Sequence, residues 1–211
     1  MNKLNHIAFI MDGNGRWGKK IGKGRNYGHL KGVETVKKIV QASIEFQIPI
    51  ITFYVFSSEN WKRPKNEKLY LFKLIKIYFS REIKNLIKQG IKINILGELN
   101  KFPLDLKSIL KKTTQLTNKN KKIIVNLAIN YGAQNEIIQA FKKTRKNLSI
   151  KNFEKQLYTK NMPNPDILIR TGGYRRLSNF LLWQLAYTEL FFFILKLHHL
   201  IKTEEHYKMS K

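Results

Sequence analysis

The sequence predicts an α/β domain, a mainly parallel central sheet flanked by helices. Three observations carry this. Apolar, β-branched or aromatic runs of strand length alternate with stretches of helical periodicity along the chain. The 211 residues suit one domain with a sizeable core, and 43% of them are hydrophobic and 12% aromatic. No repeat or linker divides the chain, so residues 1–211 are expected to form a single domain.

The elements follow in order. Residues 6–11 are a continuous apolar run, a buried strand. Residues 29–46 place Val33, Val36, Ile39, Val40 and Ile44 on one helical face. Residues 50–56 are β-branched and aromatic, a second strand. Residues 69–88 read as a helix with Leu71, Leu74, Ile75, Tyr78, Ile83, Leu86 and Ile87 inward, stopped by Gly90. A strand over 91–96, a weaker helix over 104–116, a strand over 123–129 and a helix over 135–145 come next. A short strand over 166–169 follows an Asn-Pro-Asp turn. From Asn179 the chain reads as helix, then as a strand over 190–195. The span 180–197 is long enough to suggest a membrane crossing, but Gln184, Glu189 and Lys196 interrupt it. A buried helix followed by a buried strand fits better.

Composition limits the partners. There is no cysteine, which excludes disulfides and thiolate metal sites. The net charge of +26 comes mostly from scattered lysines, and a general Lys, Ile and Asn bias accounts for part of it. Such a charge suits nucleic acid, anionic lipid or phosphorylated substrates. The basic residues show no aromatic-interleaved stripe, so no nucleic-acid partner is expected. The N-terminus runs straight into a strand with no signal peptide, which predicts a cytoplasmic location.

Parallel sheets gather ligands at the carboxyl ends of their strands. The residues just past each strand are therefore the candidates: 12–16, 57–63, 130–132 and 170–178. Gly13, Gly15 and Gly18 spell G-x-G-x-x-G, but no acid stands where a dinucleotide ribose needs one at the end of the second strand. A P-loop reading fails because Lys20 replaces the magnesium-holding Ser or Thr. A third reading uses the acid. Asp12 can share Mg²⁺ with a phosphate, while glycine amides, Arg16, Arg25 and His29 take up the remaining charge. The plain alternative is that Asp12 caps a helix or turn. In the second cluster, Ser57 and Asn60 can bond a phosphate or position a reacting group, and Trp61 offers an apolar wall beside Arg63. The alternative there is an ordinary turn ending at Pro64. Arg170, Arg176 and Ser178 surround two glycines and form a second anion site. Two anion clamps joined by apolar helices suggest two diphosphate substrates with apolar tails. Val33, Val36, Val55, Leu71, Leu74, Ile75 and Ile123 are candidates to line a hydrophobic tunnel, or simply to pack the core.

The motifs HIAFIMDGNGRW (6–17), RNYGH (25–29), FSSENWKRP (56–64), NYG (130–132), IRTGG (169–173) and RLSNFLLWQLAYTEL (176–190) closely resemble the cis-prenyltransferases, in order and at natural spacing. The resemblance covers residues 6–191. It implies the cis-prenyltransferase fold with its tunnel. It also implies Mg²⁺-dependent elongation of an allylic diphosphate, typically farnesyl diphosphate, by isopentenyl diphosphate. The expected product is a long polyprenyl diphosphate such as undecaprenyl diphosphate, precursor of the lipid carrier for cell-wall synthesis. By this resemblance Asp12 is catalytic and a metal ligand, and Glu189 is the other metal ligand, reaching a site across a homodimer interface. Gly13, Asn14, Gly15, Arg16, Trp17, Arg25 and His29 hold the allylic substrate. Ser57, Ser58, Glu59, Trp61 and Arg63 border the reacting ends. Asn60 takes the role of proton acceptor, although a neutral amide is a poor base and orienting a phosphate or water is the alternative. Arg170, Arg176, Leu177 and Ser178 bind isopentenyl diphosphate. Peripheral association with the inner face of the membrane is also implied.

The chain departs from the family pattern in two places. Tyr174 stands where the family usually has an acid, and Arg175 where it often has His. The tail, 192–211, lacks the family's W-P-x-F segment and the basic stretch that completes the partner's site. This leaves a second reading, a catalytically impaired relative that only binds prenyl diphosphates. The adjacent His198 and His199 do not face each other on a helix or strand, so no metal site is expected from them.

Overall fold

The computed structural model describes residues 4–194. Six strands form one sheet: β1 (His6–Ile10), β2 (Ile50–Ser57), β3 (Ile91–Leu96), β4 (Ile123–Tyr131), β5 (Ile167–Arg170) and β6 (Glu189–Phe192). Their spatial order is β3-β4-β2-β1-β5-β6, and every neighbouring pair is parallel. The helices are α1 (Asn14–Lys20), α2 (Gly24–Glu45), α3 (Lys65–Lys88), α4 (Leu104–Thr117), α5 (Ala133–Thr144) and α6 (Ile150–Glu154). A 3-10 turn, Ser58–Lys62, follows β2. The predicted parallel α/β sheet is therefore present.

The core lies on both faces of the sheet. Phe9, Phe53, Ile93 and Val125 point to one face and pack with Ile39 and Val40 of α2, Phe72 and Phe79 of α3, and Leu106 and Leu110 of α4. Ala8, Ile10, Ala128 and Leu168 point to the other and pack beneath Phe180, Leu181 and Leu185. A polar row crosses this second face. Asn94 donates to Asn126 at 3.1 Å, and Asn126 donates to the Thr52 hydroxyl at 3.0 Å. That hydroxyl lies 2.7 Å from His6 Nε2, and His6 Nδ1 lies 2.8 Å from the Pro163 carbonyl. A carbonyl only accepts, so Nδ1 carries the proton and Nε2 accepts from Thr52. Burial pushes the His6 pKa down, so the ring stays neutral.

Several sequence expectations need correction. The G-x-G-x-x-G stretch is a short helix, α1, rather than a loop, and α2 begins at Gly24, ahead of the expected residue 29. Packing between the two explains both. A Cβ at Gly18 would lie 2.1 Å from the Gly24 carbonyl oxygen, so only glycine allows this approach. The expected helix from Asn179 is a run of turns. Ser178, Asn179 and Leu181 take left-handed φ of 53°, 62° and 44°, which no α-helix accommodates. The last strand is an exposed edge strand rather than a buried one, because among the described residues β6 pairs only with β5. α6 was not anticipated. No helix among the described residues is long and apolar enough to cross a membrane. His198, His199 and most of the divergent tail lie outside the described residues.

Candidate active site

The carboxyl ends of β1, β2, β4 and β5 deliver their following residues to one edge of the sheet. Because β1 and β5 are neighbours, Asp12 meets Arg170. Arg170 Nη2 donates to Asp12 Oδ2 at 3.0 Å, and Arg16 Nη2 lies 3.3 Å from Oδ1. The Gly13 amide donates to Oδ1 at 2.6 Å, and Thr171 Oγ1 donates to the Asp12 carbonyl at 2.9 Å. Gly172 closes the arrangement. Its φ is +89°, and a Cβ there would sit 2.8 Å from the Asp12 carbonyl carbon. Arg170 is only 3% exposed. It also donates to the Arg176 carbonyl and, at 2.8 Å, to Ser178 Oγ, and its buried Nε has no hydrogen-bond partner among the described residues. Arg16 ties α1 to this loop by donating to the Gly172 carbonyl at 2.8 Å.

A second group centres on Glu67, which the sequence reading missed. Arg25 grips its carboxylate with two bonds of 2.9 Å, through Nε and Nη2. His29 Nε2 donates to it at 3.2 Å, as does Arg63 Nη1. Glu67 is 8% exposed. Burial alone would raise its pKa, but bonds from Arg25 and His29 and the charges of Arg25 and Arg63 lower it overall. His29 is held below the usual histidine range, chiefly by desolvation, against the pull of Glu67. Three residues predicted to bind substrate thus share one buried acid. The only sequence signal was the Arg63–Glu67 spacing in the first turn of α3, which resembles any surface i,i+4 pair.

Between α2, α3 and the sheet lies a cavity of about 370 Å³. Its mouth carries Asp12, Asn14, His29, Ser57, Asn60, Arg63, Arg170, Arg176 and Ser178. Its interior is apolar, with Val33, Val36, Val55, Leu71, Leu74, Ile75 and Phe79. Tyr78 also lines it, and burial pushes its phenol up to about 12, so it is neutral there. Ile123 does not belong to this wall. It starts β4, at the amino end of the sheet, and is packed in the core.

The other predicted residues take these places. Trp61 does not line the cavity; it joins Phe56, Phe72 and Phe102 in an aromatic cluster and donates Nε1–H to Asn130 at 2.7 Å. Asn60 Oδ1 accepts the Ser57 amide at 3.2 Å, which fixes the turn after β2. Glu59 accepts from Ser58 Oγ at 3.1 Å and Asn179 Nδ2 at 2.9 Å, linking the turn after β2 to the one after β5. Trp17 stacks on Tyr27 with ring centres 5.9 Å apart. Gly15 lies against the Arg25 guanidinium. Leu177 packs on the second core cluster. Glu189 opens β6 opposite Ile167, at the amino end of the sheet. Within one chain it therefore stays apart from Asp12. Among the described residues, no three His, Asp or Glu side chains gather as a protein-only metal site.

Known proteins are similar to this chain in sequence and fold. The family model described as "Putative undecaprenyl diphosphate synthase" matches residues 10–207, past residue 191, where the motif resemblance ends. An isoprenyl transferase of Prochlorococcus marinus is 42% identical over 200 residues, which cover 88% of this chain and 72% of that protein. The ditrans,polycis-undecaprenyl-diphosphate synthase ((2E,6E)-farnesyl-diphosphate specific) of Buchnera aphidicola is 44% identical over 199 residues, 90% of this chain and 80% of its own length. The crystal structure of lavandulyl diphosphate synthase from Lavandula x intermedia, in complex with dimethylallyl diphosphate, has a TM-score of 0.90 at 28% identity, covering 99% of this chain and 97% of that one. Motifs, parallel sheet and polar-mouthed cavity agree with these matches, and the chain belongs to the cis-prenyltransferase family, on the undecaprenyl diphosphate synthase model.

Proposed function

We propose that this prenyl transferase condenses isopentenyl diphosphate repeatedly with an allylic diphosphate, farnesyl diphosphate, to make a long cis-polyprenyl diphosphate such as undecaprenyl diphosphate. The observation that carries the reading is one cavity with a cationic mouth and an apolar body. That shape suits a ligand that is a diphosphate at one end and a hydrocarbon at the other.

The side chains have distinct tasks. Breaking the allylic C–O bond builds negative charge on the departing diphosphate. Arg25 and Arg63, already fixed by Glu67, stabilise that charge without reorganising, and Arg16 joins them from its place beside Asp12. Arg170, Arg176 and Ser178 hold the second diphosphate. Its double bond then closes the new C–C bond, and a proton passes from the neighbouring carbon to a diphosphate oxygen or a water. Asn60, bound to the Ser57 amide, orients a phosphate or water better than it serves as a base. The apolar walls keep water from the allylic cation.

A magnesium ion fits Asp12. This carboxylate stands alone among arginines, and Mg²⁺ is usually held by one or two carboxylates together with substrate phosphates. When bound, the ion supplies charge neutralisation on the diphosphate. Asp12 would then exchange at least one arginine contact for it. In a homodimer, exposed Glu189 would serve the partner's site. A cytoplasmic enzyme that meets the inner membrane face to deliver its lipid product completes the reading.

The test is purified protein with farnesyl diphosphate, labelled isopentenyl diphosphate and Mg²⁺. Labelled polyprenyl diphosphate supports the proposal. Tight binding of both substrates with no product would identify a catalytically impaired relative instead.

A further inference from the structure

Tyr174 is the residue at which this chain departs from the family's usual acid. It lies on the loop after β5, just beyond Gly172 and Gly173, whose φ values of 89° and 85° turn the chain back over the site. The residue is 44% exposed, and three guanidinium groups lie around its ring. Arg176 Cζ is 4.4 Å from the ring centre, Arg16 Cζ 4.6 Å and Arg170 Cζ 5.9 Å. Asp12 is the one carboxylate paired with this group, and its bonds go to Arg16 and Arg170. Arg176 has no ion pair among the described residues; the Tyr174 ring is the partner its guanidinium has.

We propose that Tyr174 is a positioning residue that holds Arg16 of the first clamp and Arg176 of the second against one aromatic ring, coupling the two diphosphate sites. An acid at this position would also gather arginines, but it would cancel one positive charge and compete with phosphate for the same N–H groups. The ring attracts guanidinium through its quadrupole and leaves the full charge available to an anion. Arg16 comes from α1 and Arg176 from the loop after β5; the bond from Arg16 to the Gly172 carbonyl joins the two segments, and the ring adds the contact that places the Arg176 guanidinium beside Arg16. Holding both in place before the ligand arrives lowers the ordering cost of binding. This deepens the function proposed above and rests on its reading of Arg16 and Arg176 as diphosphate-binding groups.

Two variants and two readouts test it. Inorganic diphosphate is titrated calorimetrically into wild type, Tyr174→Phe and Tyr174→Ala, and KM and kcat are measured with farnesyl and isopentenyl diphosphates. The Ala variant is expected to bind inorganic diphosphate up to about five- to thirtyfold more weakly, since two arginines must then be ordered on binding without the two cation–π contacts, at exposed strength, that held them. Its KM for isopentenyl diphosphate rises in step, with kcat within about twofold and an unchanged melting temperature. The Phe variant keeps the ring face and matches wild type. Wild-type binding by the Ala variant overturns the proposal, as does a Phe variant as weak as Ala, which would place the effect in the hydroxyl. If wild type binds inorganic diphosphate but makes no prenyl product, the enzymatic reading fails, and the binding series still decides whether the ring holds the arginines.

Discussion

Glu67 anchors Arg25, His29 and Arg63, side chains of the proposed diphosphate-binding site. Its carboxylate holds Arg25, His29 and Arg63 within 3.2 Å. Removing the charge leaves like-charged neighbours facing one another in a partly buried place. Glu67→Gln is expected to cost about 2 kcal/mol of stability in urea unfolding. It should raise KM for the allylic diphosphate about tenfold, because the cations lose their fixed geometry; unchanged kinetics would show that they need no anchor. Asp12 and Arg170 were legible in the sequence because each stands at the carboxyl end of a buried apolar run. Glu67 was not, since its partners Arg25 and His29 lie 42 and 38 residues away and only folding brings them to it. The same holds for Trp61, whose bulk reads as a ligand wall but fills an aromatic cluster.

Buried histidines give a pH signature at this scale. His6 and His29 both have pKa values lowered mainly by desolvation. The unfolded chain therefore takes up protons below about pH 6.5 that the folded chain refuses. The associated stability is complete above that pH and falls as pH drops toward the lowered folded values, by up to about 1.4 kcal/mol per unit for each histidine. Glu67 loses stability in the same direction, but only below the ordinary carboxylate range. Urea unfolding at pH 7.5, 6.0 and 5.0 should show the first loss between 7.5 and 5.0, and His6→Asn should reduce it. A flat profile over that interval would contradict the neutral, Thr52-bonded ring.

Among the elements, α1 and α2 show how tertiary contact overrides local pattern. Glycine-rich GNGRWGKK reads as a phosphate loop, yet it forms a helix because its glycines allow α2 to approach closely. α1 carries Asn14 and Arg16, so its seating sets the mouth of the cavity. Gly18→Ala must push the helices apart. It is expected to destabilise the protein by about 1–3 kcal/mol and to lower kcat/KM, read by thermal unfolding and steady-state kinetics. Strands were read well because buried parallel strands are continuous apolar runs. The stretch from Asn179 reads as a helix and is not one. Its helix-like apolar pattern is real, but left-handed Ser178, Asn179 and Leu181 break it to bring Ser178 and Asn179 to the site.

At the scale of the molecule, the strand order explains the site. β1 lies between β2 and β5, so the sheet's carboxyl edge joins the Asp12, Ser57 and Arg170 loops over one opening. α2 and α3 supply the apolar walls below it. Six of the seven residues predicted from helix and strand faces do line the cavity, and Ile123 fails because facing alone does not give height along a strand. Wall volume should then limit product length. Leu74→Trp is expected to shorten the polyprenyl product while leaving the first condensation nearly intact, as read by chain-length chromatography. Unchanged lengths would place the growing chain elsewhere.

The most direct test of the central claim is product formation from farnesyl and labelled isopentenyl diphosphates with Mg²⁺, in wild type beside Asp12→Ala. The account predicts long cis-polyprenyl diphosphate from wild type and a loss of at least about a hundredfold in kcat for the variant, whose diphosphate would leave without its carboxylate-held ion. A folded wild type that makes no product, or an Asp12→Ala enzyme as fast as wild type, would contradict it.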